Sequence, residues 1–252
     1  FEHWLGHPAW FRAGTSLAAH PAPWPELIPL ADELLVLEAI LAAGAAPQLV
    51  RRLLLAPGMP LSGPGIAALS VVPDVDAGVR LLVSAGPGGT PYLKVRMDQG
   101  ADAAVVQVDT AIPGEGPAFG ALVFAAVLLR FVEGLAFDLV GEVELAVPSA
   151  LEPLESPTAG ELRCALVTDA PGLGVRLPLH VLALPNPSAD LRQFRLMQDL
   201  GRLELKRDED PILQGVRAVL QRTLRSERRV PRRGEVAAQL GMSERSLSRA
   251  LS

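Results

Sequence analysis

The sequence predicts an α+β fold: a helix-rich N-terminal domain with antiparallel strands, followed by an all-α helix-turn-helix segment. Three observations carry this expectation. Several segments repeat apolar residues every three or four positions, whereas two neighbouring segments, Tyr92–Met97 and Ala103–Asp109, alternate in strand fashion around a glycine-containing loop. The order is helices, a hairpin, a long helix, more strands and more helices, which is not the regular winding of a βαβ protein. Charge divides the chain in two. The 252 residues carry a formal net charge of -5, yet residues 211–252 hold nine Arg and three Glu, or +6, which leaves -11 on the first 210.

Composition sets the frame for the elements. Hydrophobic residues make up 49% and charged residues 20%, which supports a buried core and excludes an intrinsically disordered chain. Aromatics are only 4%, so that core is expected to consist mainly of Ala, Leu and Val. Cys164 is the only cysteine, which excludes an internal disulfide and a cysteine-based zinc site and points to a reducing, cytoplasmic compartment.

Residues 1–25 hold Phe1, Trp4, Trp10, Phe11 and Trp24, five of the eleven aromatics, and are expected to dock on the body or on a second subunit. His3 and His7 are four apart, but two ligands without a third make a poor metal site. Leu30, Leu34, Leu37 and Leu41 mark the first of two helices over Ile28–Leu55, interrupted at Gly44 and Pro47. Met59–Gly65 reads as a Pro/Gly loop, and Ile66–Val83 as helix, turn, helix, with Asp74 capping the second piece. Ala85–Thr90 is glycine-rich but lacks the Lys-Ser/Thr of a phosphate loop, and reads as a plain connection.

After the hairpin, Pro113–Pro117 breaks the chain before an apolar helix that runs to about Phe137. Its length suits a membrane, but Arg130 and Glu133 lie inside it, each costing roughly 2.5–3.5 kcal/mol at a bilayer centre. A buried core helix is the better reading, and no membrane partner is expected. Val143–Val147 reads as a strand, a further strand is expected at Arg163–Val167 or Gly174–Leu177, and Asn186–Leu200 as loop into helix. The charged run Lys206–Asp210 marks the boundary between a domain of residues 1–207 and a second of residues 208–252.

The second domain has the sharper pattern. Asp210-Pro211 opens a helix with Ile212, Val216, Leu220 and Leu224 on one face, ended by Ser226–Pro231. Val236, Ala237 and Leu240 then form one face of a short helix, and Ala237 is small enough for a second helix to pack close. Gly241 supplies the positive φ that leaves it. Ser243 is an N-cap for the next helix, whose Leu247 and Leu251 face the core while Arg245, Ser246, Ser248 and Arg249 face outward. This is a helix-turn-helix pattern, in which the second helix enters the major groove of double-stranded DNA.

The segment "EVAAQLGMSERSLSRAL" (Glu235–Leu251) resembles the first helix-turn-helix of AraC-type transcription regulators. "LPLHVLALPNPSADLRQFRLM" (Leu177–Met197) resembles the end of the sensor domain in the subgroup with the arabinose-binding-like N-terminal domain, as in ornithine-utilisation regulators. "ELIPLADELLVLEAI" (Glu26–Ile40) fits the same subgroup more loosely. The resemblance implies a ligand-responsive transcription regulator, often a homodimer, with two helix-turn-helix units. The chain stops at Ser252, before the expected linker helix and second unit, so residues 208–252 are read as an incomplete first part of that domain. Carried onto this sequence, the base-reading positions fall on Arg245, Ser248 and Arg249. Arg232, Arg233 and Ser243 are the expected phosphate contacts, which supply affinity rather than specificity.

For the acidic domain, a small-molecule effector site is expected. Tyr92 and Arg96 fall on one side of the predicted strand, and Arg130 would reach an acid group on an effector with an apolar body, unless it pairs with a nearby carboxylate. No cofactor is expected. Enzyme chemistry finds little support: Gly-x-Ser-x-Gly is absent, His180 lies in an apolar stretch that suits a packed core histidine, and Cys164 reads as a small hydrophobe. Glu142 and Glu144 would share a strand face, with no sign of a cleft between them. A protein-interaction or ligand-binding module without DNA binding is the alternative.

Overall fold

The computed structural model describes residues 2, 5–19, 28–55, 68–151, 163–198, 215, 216, 219, 220, 222, 223 and 229–251. The readings placed on His3, Trp4, Trp24, Met59–Gly65, Lys206–Asp210, Pro211, Ile212 and Leu224 lie outside the described residues.

Helix α1 (Leu30–Ala42) and helix α2 (Ala46–Leu55) meet at a bend of 107°. The bend is made locally. Gly44 has φ 63°, its N–H donates to Leu41 O, and the Ala45 N–H donates to Ile40 O at 3.0 Å, the two bonds of a Schellman ending. Pro47 falls in the first turn of α2, where a missing N–H costs nothing. Helix α3 (Val75–Gly89) starts as expected, with Asp74 Oδ1 accepting the Ala77 N–H at 2.8 Å.

At its far end α3 departs from expectation. It runs through Ala85–Gly89, a stretch that reads as a loop. Pro87 and three glycines weaken that turn locally, but α3 packs along the first strand and the long central helix, and tertiary packing overrides propensity.

Strands β1 (Leu93–Gln99) and β2 (Ala103–Thr110) form the expected antiparallel hairpin. Helix α4 (Glu115–Ala136) follows, then β3 (Glu144–Ala146), β4 (Ala165–Val167), β5 (Gly174–Pro178) and the four-residue helix α5 (Leu179–Leu182). The sheet order is β1-β2-β5-β3-β4, antiparallel except for the β3–β4 pair. Ala104, Val106, Val108, Leu145, Val175 and Leu177 turn inward from it and are buried. Helix α4 packs on this inner face, with α1, α2 and α3 around it. Phe119, Ala125, Leu128 and Val132 along α4 are fully buried. A Cβ on Gly78 of α3 would overlap the Phe131 ring, so the α3–α4 crossing depends on that glycine.

The stretch Glu115–Glu142 is long and apolar enough to cross a membrane, yet 67% of its most apolar window is buried inside the protein, as in a core helix. Residues 5–19, the described stretch of the N-terminal segment, dock on the body. Phe11 and Leu17 are buried, Trp10 packs on the main core, and Asp32 of α1 accepts from both the backbone N–H (3.0 Å) and the hydroxyl of Ser16.

The segment 184–190 is stitched to the start of α3. The Asn186 side chain is buried, donates to Ser70 O (3.0 Å) and Val72 O (2.9 Å), and accepts from the Ser188 N–H (2.9 Å). The Val75 N–H donates to Leu184 O and the Asn186 N–H to Pro73 O. Asp190 then caps the helix over 191–198 by accepting the N–H groups of Arg192 and Gln193.

Two readings of single side chains are corrected here. His180 is not a core residue: Val181 and Leu182 of α5 fill the core, while His180 points out, 56% exposed and 3.0 Å from Glu142. Glu142 and Glu144 do not share a strand face, because Glu142 ends a 3-10 turn (Phe137–Glu142) and Glu144 opens β3, where it pairs with Arg176 at 3.2 Å.

Candidate nucleic-acid interface

A second, separate hydrophobic cluster lies in the tail. Helices α6 (Arg233–Gln239) and α7 (Glu244–Ala250) bury Val236, Ala237 and Leu247 together with Val219 from the helical residues upstream, and Val216, Leu240 and Met242 close its edge. Among the described residues upstream, Val219 and Thr223 are buried, whereas Val216 and Leu220 are only half-buried. A Cβ on Gly215 would meet a Leu240 methyl at 2.7 Å, so the upstream helix crosses close over the end of α6. Arg222 donates to Gln239 at the same end.

The turn between α6 and α7 has a specific cause. Gly241 sits at φ 66° and donates to Ala238 O at 3.1 Å, while the Met242 N–H donates to Ala237 O at 2.9 Å. This is again a Schellman ending, and it turns the chain directly into the Ser243 cap. The Ser243 hydroxyl accepts the Ser246 N–H at 3.1 Å and lies 2.8 Å from Ser246 Oγ. At the start of α6, Glu235 Oε2 accepts the Arg232 N–H at 2.8 Å and pairs with Arg229 at 2.7 Å. Arg229, followed by the Arg232 backbone bond, holds the Glu235 carboxyl below its ordinary pKa, so the acid stays ionised and is spent inside the motif.

The outward face is cationic. Arg232, Arg233, Arg245, Ser248 and Arg249 are all exposed. An open groove is lined, among the described residues, by Arg245, Ser246, Ser248 and Arg249. No hydrogen bond or ion pair holds the Arg245 guanidinium among the described residues. Arg233 reaches from α6 to α7 and donates to Ser248 Oγ at 3.3 Å, which brings an expected phosphate contact against an expected base-reading residue. Ser243 is occupied by its capping role. Leu251, expected in the core, is 46% exposed, because α7 ends at Ala250 and Leu251 is its cap.

The three residues expected around an effector lie in different surroundings. Tyr92 belongs to the turn before β1, where strand alternation does not yet apply: it is buried, whereas Arg96 lies on the opposite, solvent side and pairs with Asp109 at 3.1 Å. The Tyr92 hydroxyl donates to Glu33 Oε1 at 3.2 Å and nestles against Gly120, where a Cβ would collide with it. Burial first, then the Glu33 charge, raises the phenol pKa far above its ordinary value, and burial likewise raises the Glu33 carboxyl. Arg130 lies ten residues beyond Gly120, ~15 Å along α4, and pairs with Glu133, which also meets Arg163 at 3.4 Å.

Sequence reasoning missed Glu33, Asn186 and the Arg233–Ser248 bond. Asn186 lies in the Leu177–Met197 segment that carried a resemblance, but its role as a tie to residues 114 and 116 positions away has no local signal. Among the described residues no three His, Cys, Asp or Glu side chains come together as a metal site.

No family model and no curated protein matches the chain. Among solved structures it is similar to the crystal structure of transcriptional regulator CdpR from Pseudomonas aeruginosa, at 22% identity and a TM-score of 0.49, over 93% of this chain and 75% of that one.

Proposed function

We propose that the chain belongs to a ligand-responsive transcription regulator of the AraC type, which binds double-stranded DNA through the tail and a small-molecule effector through the body. The observation that carries this reading is the α6–Gly241–α7 unit, whose second helix turns Arg245 and Arg249 to solvent beside Arg232 and Arg233. Two helices set by a tight turn, with the second one cationic on its free face, suit insertion into a major groove. The +6 charge of residues 211–252, carried entirely by Arg on the basic side, suits the phosphate backbone. The same reading makes the protein a cytoplasmic homodimer and a binding protein rather than an enzyme, with the body sensing an effector.

The test is fluorescence anisotropy of the gene product that contains this chain on duplexes from upstream of its own gene and its neighbours. Several salt concentrations are used, with random duplex as competitor, and each titration is repeated with a small-molecule cell extract. Selective binding to one fragment, falling steeply with salt, is the expected outcome. Binding no tighter than to random duplex, with and without extract, would sink the reading. A protein-interaction module is the second reading, favoured by Leu191 and Leu196, which stand 54% and 59% exposed on one short helix. It predicts complexes that are indifferent to competing DNA.

A further inference from the structure

Resting on the DNA-binding reading, we propose that Arg245 and Arg249 each take a guanine, that the two guanines lie within two base steps of each other, and that Arg233 is a positioning residue for Ser248 beside them. Residues four apart on a helix point the same way, and at a rise of 1.5 Å per residue Arg245 and Arg249 are spaced ~6 Å along α7. Successive bases on a strand are spaced ~3.4 Å along the duplex axis. Two guanidinium groups on one face of a groove-bound helix therefore meet base edges one to two steps apart.

The chemistry of the groove selects the base. Its described lining is Arg245, Ser246, Ser248 and Arg249, with no carboxylate among them. The neighbouring Glu244 lies instead against Gly234 on α6. A carboxylate there would accept from the cytosine amino group. Ser248 contributes a hydroxyl, and the Arg233 N–H bonded to its oxygen at 3.3 Å occupies a lone pair and polarises the O–H outward as a donor. Ser246 is half-buried and engaged with the Ser243 cap. The two arginines therefore present donors only, while Ser248 offers a donor beside one remaining lone pair. Guanine carries two acceptors, N7 and O6, and no donor on its major-groove edge, and it takes the bidentate fork of arginine. Adenine and cytosine each carry an amino donor there, which neither arginine can accept, because a guanidinium has donors only. Arg233 thereby moves from the flanking phosphates, where the sequence placed it, into the reading of bases.

The experiment is selection of binding sites from a random duplex pool by the gene product containing this chain and by its Arg245→Ala, Arg249→Ala and Arg233→Gln variants. Far-UV circular dichroism confirms that each exposed substitution leaves the fold intact. The expected site holds two guanines within two base steps. Arg245→Ala erases the preference for one and Arg249→Ala for the other, each a loss of roughly 5- to 150-fold in discrimination. Arg233→Gln is expected to change the preference at the base pair that Ser248 faces, beside the two guanines, while leaving the salt dependence unaltered. A uniform loss of affinity with a shallower salt slope would put Arg233 on a phosphate and overturn its part. Selective binding with a site indifferent to both Arg→Ala changes, or with guanines further apart, overturns the proposal and leaves DNA binding standing. Failure of the unaltered protein to enrich any site defeats the DNA-binding reading itself.

Discussion

At the residue scale, the body is organised by polar groups that local sequence does not distinguish. Glu33, three residues after Leu30 and four before Leu37, sits at the edge of the apolar face of α1, where it accepts the Tyr92 hydroxyl at 3.2 Å and burial raises its pKa. Protonating Glu33 is therefore easier in the folded chain than in the unfolded one. The sign follows: its contribution to stability is fully present below the ordinary carboxylate pKa and is lost as pH rises through the raised folded value. Glu33→Gln keeps an oxygen acceptor for Tyr92 and removes the buried charge. The variant is expected to melt higher than the native protein at pH 8, with the gap closing toward pH 4. Equal melting temperatures at pH 8 would show that the carboxylate bears no desolvation cost. Tyr92 and Arg130, which the sequence offers as effector-binding side chains, have Glu33 and Glu133 as partners within the body.

At the element scale, what was legible is what is local. The Asp74 and Ser243 caps form the bonds their positions implied, at 2.8 Å and 3.1 Å. Gly44 and Gly241 both sit at positive φ and end helices in the same two-bond pattern. At Gly241 a Cβ would meet nothing within 4 Å, so a substitution there tests backbone conformation alone. Gly241→Ala is expected to cost about 1–2 kcal/mol by forcing a side chain into the left-handed region, and Gly241→Asn to recover part of it. Denaturant unfolding followed by far-UV circular dichroism measures both; an unchanged Ala variant would mean that the turn relaxes freely. The end of α3 was not legible, because Pro87 and its glycine neighbours argue locally against the helix that contacts with β1 and α4 sustain.

At the scale of the whole molecule, the described residues form two hydrophobic clusters of very different size. The small one buries Val219, Val236, Ala237 and Leu247, and large apolar side chains contribute only ~1.5–3 kcal/mol each on full burial, against ~1–2 kcal/mol of backbone entropy for every residue ordered. Val230 packs on the large cluster at the point where the chain enters the small one. The tail is therefore expected to unfold first. Trp10 packs on the large cluster, so its fluorescence reports the body. Thermal unfolding by far-UV circular dichroism should show an early component that tryptophan fluorescence lacks. Coincident transitions by both probes would instead mean one cooperative unit.

The sequence by itself determined the elements whose causes lie within a few residues: the alternation of β1 and β2, the apolar run of α4, the caps, and the glycine turn between α6 and α7. It also determined the concentration of arginine in the tail, since charge is a property of composition. Tertiary structure alone decided which side chains became partners across the chain. Asn186 closes on carbonyls of residues 70 and 72, Tyr92 reaches Glu33 on α1, and Arg233 reaches Ser248 on α7. These pairings depend on how packed elements meet, and burial, which sets the strength of a polar contact and the protonation of a carboxyl, exists only once they have met.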